Sequence, residues 1–222
     1  MQEIRYAMVD GEKVPVLISD ENEALQAAKA ARRAIVGLWR EDGKENEWCA
    51  DTLITDVEDA DEEFLERIAR RHLGLPWTIC ETERLILREI AERDYEEIVK
   101  NHVDDGLDTA EKIAGYTKRH YEVFEFGFWA VEEKKSGNLA GVVGFRIPQD
   151  DAAGDVEDWL LSFDDENSLD DTLELGYHIF PEYRRQGHAK EEFGTVQFLA
   201  RIEKDNIVSK KVAERLGFVR AA

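Results

Sequence analysis

"GYHIFPEYRRQGHAKE", Gly176–Glu191, decides how this chain is read. An apolar run ends at Phe180 and a proline breaks it. Arg184 and Arg185 follow, then Gly187, then a helix-forming run. The pattern is a strand, a tight turn and a helix start. A glycine there lets the backbone approach a ligand closely. The N–H groups of residues 186–190 stand where a helix N-terminus has unpaired donors, which suits an anion. The two arginines add fixed positive charge. A capping glycine beside two solvated arginines fits the same residues equally well.

The surroundings favour the anion. From Arg184 to the end there are nine Lys/Arg and five Asp/Glu, in a chain whose formal net charge is −21. That overall charge argues against a nucleic-acid partner, because phosphate backbones require a basic face. It also disfavours an anionic membrane. A cationic small partner is compatible with it. No run approaches the roughly 18 apolar residues of a membrane span. The opening "MQEIRYAMVDGEKVPV" has no apolar core of the signal-peptide kind. Cys49 and Cys80 form no framework of spacings, so a reducing cytoplasm is expected.

Outward from the opening stretch, "LELGYHIF" is a strand, "VQFLARI" another, and "NIVSKKVAERLG" a helix capped by Asn206 and closed by Gly217. Upstream, "RLILREI" alternates as a half-buried strand. "ERDYEEIVKNHV" and "DTAEKIAGYTKRHYEVF" are helical. "FGFWAVEEKKSGNLAGVVGFRI" is a hairpin turning at Ser136-Gly137-Asn138. Residues 148–172 hold ten acids and no Lys or Arg, and read as an acidic insert with "WLLSF" as a short ordered piece. A solvated loop and an amine-attracting loop both fit it. Residues 1–78 read as β-α-β-β-α: "VPVLIS", a helix started near Asp20, "AIVGLW", "DTLITDV", and "DADEEFLERIARRHLG". A linker around Pro76 then leads to a second domain, 81–222.

"LGYHIFPEYRRQGHAKE" with "FLARIEKDNIVSKKVAERLGF", "ETERLILRE" and "FWAVEEKKSGNLAGVVGF" resembles the GNAT (general N-acetyltransferase) superfamily over about residues 81–219. It is most similar to the branch of ribosomal-protein N-terminal acetyltransferases. The resemblance implies an α/β (α+β) fold: a mixed, mostly antiparallel sheet with flanking helices, here preceded by a small α/β unit. It implies acetyl-CoA as cosubstrate, no metal, and transfer of the acetyl group to a primary amine by direct attack. A noncatalytic CoA-binding sensor or scaffold on the same fold is the alternative.

Carried over position by position, the R-x-x-G-x-A segment is Arg184, Gly187 and Ala189. The amides of Arg185, Gln186 and His188 would join it in cradling the pyrophosphate. The preceding strand would carry a bulge and splay from its neighbour, with Ile179 and Phe180 bonding the pantetheine arm. Asn206 would lie near the cofactor, and Ser209 beside the thiolate as proton donor. Glu174 is placed as a water-mediated base, although an exposed strand residue fits that position too. Along the strand His178 alternates with Tyr177, and one of the two is expected to face the acceptor.

Two departures from the family stand out. Only six residues, His188–Phe193, separate Gly187 from Gly194, about 9 Å as helix. The chain also ends at "GFVRAA", where the family continues with two more strands. An exposed sheet edge open to homodimer pairing is therefore expected. Residues 1–78 resemble the C-terminal half of haloacid-dehalogenase-like domains, with Asp20 near that family's last acidic motif. No D-x-D strand precedes it, so a docking module or a structural extension is expected there rather than a hydrolase.

Overall fold

The computed structural model describes residues 1–40, 49–148, 156–161, 172–183 and 197–220. The chain forms two compact units. The first comprises Met1–Trp77 with Lys118–Phe124, the second Thr78–Thr117 with Glu125–Ala222. Among the described residues, no helix is long and apolar enough to cross a membrane.

In the first unit, β1 (Gln2–Val9) and β2 (Glu12–Ser19) form an antiparallel hairpin, and β3 (Ala34–Leu38) and β4 (Leu53–Ile54) extend it in parallel. The turn is Asp10-Gly11, with φ of 49° and 87°, the left-handed pair that a two-residue hairpin demands. Helix α1 (Asn22–Ala30) links β2 to β3. Helix α2 (Glu62–His72) lays Leu65, Ile68 and Ala69 on Ala7, Val16, Ile18 and Val36. Asp61 caps α2 by accepting the Phe64 N–H at 2.8 Å.

Three sequence expectations change here. β1 was not foreseen: its buried face carries the small Ala7 with Val9, while Ile4, Tyr6 and Met8 face solvent, so apolar residues occupy both faces. Glu21, not Asp20, precedes the first turn of α1. The "DTLITDV" strand shrinks to two residues.

The second unit is one mixed sheet. Its strands are β5 (Thr78–Glu81), β6 (Leu85–Arg88), β7 (Phe128–Glu133), β8 (Asn138–Arg146), β9 (Val156–Leu161), β10 (Thr172–Ile179), β11 (Gln197–Glu203) and β12 (Val219–Arg220). They lie in the order β12-β9-β11-β10-β8-β7-β6-β5, and only β10 and β11 are parallel. This is the mixed, mostly antiparallel α/β architecture expected.

Helices α3 (Tyr95–Lys100) and α4 (Ala110–Arg119) bring Ile98 and Ile113 against Phe128, Ala130, Val142 and Phe180 in one core. Each such buried side chain stabilises by about 1.5–3 kcal/mol. Helix α5 (Ile207–Leu216) follows β11. Asn206 Oδ1 accepts the Ser209 N–H at 3.1 Å, and Gly217, at φ 93°, ends the helix, as their residue types require.

Two further features differ in detail from expectation. The acidic insert contributes strand β9, which pairs along β11 from Phe198↔Leu161 to Glu203↔Val156. Short β12 then pairs with β9. Strand β9 therefore covers β11, and the two-residue β12 ends the sheet on that side. The bulge expected in β10 is also absent: its register with β8 runs unbroken from Glu174↔Arg146 to Ile179↔Gly141.

Candidate functional site

Strands β10 and β11 pair in parallel at Thr172↔Gln197, Leu173↔Phe198 and Glu174↔Leu199. The register between them then ends, although β10 runs on to Ile179 and β11 to Glu203. At this splay lies a cavity of about 240 Å³, lined by Glu174–His178 of β10, Ala200–Glu203 of β11, and α5 residues that include Ser209. The mouth of a splayed parallel pair is a place where side chains and backbone of both strands can reach one ligand.

Gly176 makes room. A Cβ there would lie 2.8 Å from the Phe128 ring, which also lines the cavity. Phe128 is held in turn: its N–H donates to the Tyr116 hydroxyl at 2.7 Å, and the two rings stack at 6.2 Å. Burial pushes the Tyr116 phenol up to about 12, against the opposing effect of the Phe128 hydrogen bond.

Glu174 is only 3% exposed. Its Oε1 accepts Arg146 Nη2 at 2.5 Å, and its Oε2 lies 3.7 Å from Arg201 Nη1. A buried carboxylate is tolerated only when charges and donors compensate it. Here the partners are the residue opposite on β8 and one from β11. Oε2 makes no hydrogen bond among the described residues, so one carboxylate oxygen stays available at the cavity. The bond to Glu174 holds the Arg146 guanidinium above its ordinary range, against desolvation. Arg146 also meets Asp104 at 3.6 Å. Neither arginine was singled out in the sequence. Both are separated from Glu174 along the chain, and only the sheet register brings them together.

Strand alternation places Tyr177 on the face opposite Glu174 and His178. The Tyr177 hydroxyl is buried at the cleft, with Ser209 as its polar neighbour. Burial raises its ionisation above the ordinary tyrosine range, and Ser209 acts in the opposite sense.

The expected site residues fall into three groups. Glu174, Asn206 and Ser209 line the cavity together, with His178. Phe180 does not: it is fully buried in the core, its N–H donates to Ala140 O at 2.9 Å, and its carbonyl accepts the Tyr183 N–H at 2.9 Å. Its donor is therefore engaged within the sheet rather than open to a pantetheine arm. Ile179 pairs with Gly141 of β8 and is likewise not part of the cavity wall. Arg184, Arg185, Gln186, Gly187, His188 and Ala189 lie outside the described residues, as does the short connection to Gly194.

Residues 84–219 match the family described as an acetyltransferase (GNAT) domain. Several solved structures are similar to the chain. An acetyltransferase of the GNAT family from Bacillus anthracis is 19% identical, over 64% of this chain and 84% of that one, with a TM-score of 0.44. Spermidine N-acetyltransferase from Vibrio cholerae, in complex with CoA and spermine, is 14% identical over 64% and 84%, with a TM-score of 0.45. Ribosomal-protein-S5-alanine acetyltransferase from Vibrio fischeri is 15% identical over 65% and 83%, with a TM-score of 0.43. The family match begins at residue 84, so the likeness of residues 1–78 to haloacid-dehalogenase domains finds no support in it.

Proposed function

We propose that this chain, which belongs to the GNAT acetyltransferase family, moves an acetyl group from acetyl-CoA to an amine in the cleft between β10 and β11, with Glu174 as the base. Amine attack on a thioester requires an uncharged nitrogen, so the acceptor must lose a proton before or during the step. Glu174 Oε2, buried at the cleft and without a hydrogen bond among the described residues, is the acceptor for that proton through a bridging water. Arg146 holds the other oxygen and so fixes the carboxylate in one orientation. Ser209, in the first turn of α5 and at the cavity wall, would face the leaving sulfur. This placement of Glu174 at the last paired position before the splay is the observation that carries the reading.

The diphosphate of the cosubstrate would be held by Arg184, Gly187, Ala189 and the amides of Arg185, Gln186 and His188, on the strength of the R-x-x-G-x-A segment. For the acceptor we propose a cationic amine, supported by Asp104 and Glu203 at the cavity and by the acidity of the whole chain.

The test is thermal stability with and without acetyl-CoA, followed by CoA-thiol release with a panel of amines. A ligand that binds only the folded state raises the midpoint. A raised midpoint with amine-dependent thiol release is expected. Binding without transfer to any amine would leave a sensor, and no binding would overturn the reading.

A further inference from the structure

The first unit holds a cavity of about 450 Å³ that the cleft chemistry does not use. Ala34, Ile35 and Ile68 give it an apolar wall. Its charged lining runs against the rest of the chain, in which 50 Asp and Glu stand against 29 Lys and Arg. Here Lys29, Arg32, Arg33 and Arg71 face Asp51 and Glu122. Burial, and Asp51 nearby, hold the Glu122 carboxyl above its ordinary range, which weakens the negative side further. Lys29 donates to the Cys49 carbonyl at 2.7 Å and lies 3.4 Å from Asp51. Arg32 and Arg33 form no ion pair among the described residues.

Arg32 reaches the cavity through a strained backbone. Helices α1, α2 and α5 close with the same pair of main-chain bonds. In α1 the N–H groups of Arg32 and Arg33 donate to Lys29 O and Ala28 O; in α2 those of Gly74 and Leu75 donate to Arg71 O and Arg70 O; in α5 those of Gly217 and Phe218 donate to Glu214 O and Ala213 O. This closure needs one left-handed residue, usually glycine. Helices α2 and α5 use Gly74 and Gly217, whereas α1 uses Arg32 at φ 55°. A Cβ makes that conformation unfavourable, and such strain collects at functional sites. His72 Nε2 donates to the Arg32 carbonyl at 3.0 Å and so holds the turn. Basic residues at helix ends answer the helix dipole. That accounts for Arg71 and His72 in the last turn of α2. It does not account for Arg32, because glycine would close α1 without strain and Arg33 would still serve the dipole.

We propose that this cavity binds a small phosphate monoester, its phosphate on Arg32, Arg33 and Arg71 and its apolar body on Ala34, Ile35 and Ile68. Guanidinium forks match phosphate oxygens bidentately. Three phosphate oxygens serve several such forks at once, where a carboxylate offers two. The site needs no residue of the β10–β11 cleft and stands whether or not the acetyltransferase reading does.

The experiment uses the full chain, with phenyl phosphate, inorganic phosphate and benzoate as probes at fixed ionic strength. By calorimetry, phenyl phosphate should bind at least about tenfold more tightly than either of the others. Arg33→Ala should weaken it by about tenfold or more. Arg32→Gly should weaken it equally, and should raise the thermal midpoint of the ligand-free protein, because glycine relieves the turn. No binding of phenyl phosphate, or an affinity unchanged in both variants, overturns the assignment. Benzoate or inorganic phosphate binding as tightly as phenyl phosphate overturns the ligand class. A midpoint that falls in Arg32→Gly would make Arg32 a structural residue and overturn the site as well.

Discussion

Arg146 Nη2 donates to Glu174 Oε1 at 2.5 Å across the directly paired positions of β8 and β10. The contact follows from register. A slip of one residue between the strands would turn Arg146 to the other face and leave a buried carboxylate without its main partner. The same register places Glu174 at the last pair before β10 and β11 part. Structure and candidate chemistry therefore meet at one residue, and the two roles are separable by mutation.

Glu174→Gln keeps the shape and removes the proton acceptor. Turnover should fall by about 10²–10⁴-fold, while acetyl-CoA affinity by calorimetry should stay within about threefold. Unchanged turnover would remove Glu174 from the mechanism.

Arg146→Met leaves Glu174 with Arg201 at 3.7 Å as its remaining ion pair among the described residues. Because Arg146 is 41% exposed, the loss should be smaller than for a fully buried pair, about 1–3 kcal/mol. The double variant with Glu174→Gln should recover part of that loss in a denaturant cycle. Strict additivity would mean that the pair does not couple.

Arg88 and Asp94 form the second unit's most buried ion pair among the described residues, with side chains 5% and 4% exposed and bonds of 2.6 and 2.8 Å. Asp94 Oδ2 also accepts the Ala91 N–H at 2.8 Å. Arg88→Met strands that carboxylate and should cost about 3–5 kcal/mol, read as a shift in urea midpoint. A loss below about 1 kcal/mol would class the pair with ordinary surface bridges.

Tyr116 supplies a pH signature. Burial holds its phenol protonated up to about 12 in the folded chain, against about 10 for an unfolded tyrosine. The folded state thus binds this proton more tightly. The stability it lends is complete below about pH 10 and is lost as pH rises towards about 12. Denaturant midpoints across that window should fall for the wild type, and Tyr116→Phe should lack this share of the slope. Parallel curves would contradict the burial.

Glycine positions separate close approach from backbone freedom. A Cβ on Gly144 would lie 2.0 Å from the Gly127 carbonyl oxygen, whereas Gly137, at φ 70°, has open space around it. Gly144→Ala should cost about 3 kcal/mol or more through forced strand separation, and Gly137→Ala about 1 kcal/mol through conformation alone. Equal thermal shifts for the two would show that the sheet yields at Gly144.

The residues by themselves determined what depends on near neighbours. Acids at the start of α2 with basic residues at its end, the Asn206 cap, the Gly217 stop and the Ser136-Gly137-Asn138 turn are all local chemistry, and each reads directly. The run "LELGYHIF" likewise marked β10, with Glu174 and Ser209 as candidates. β1 escaped because its larger apolar side chains face outward, which blurs the alternation that identifies a strand. The acidic insert was legible only in part: "WLLSF" marked an ordered piece, but Glu157 and Asp158 stand in β9 as well, and composition alone reads such residues as solvated loop.

Tertiary structure alone decided the rest. Pairing between distant strands set Arg146 and Arg201 around Glu174, ran β9 along β11, and left the Tyr177 hydroxyl at the cleft beside Ser209. A hydrogen-bond register is a property of two segments at once, and no single segment carries the position of its partner.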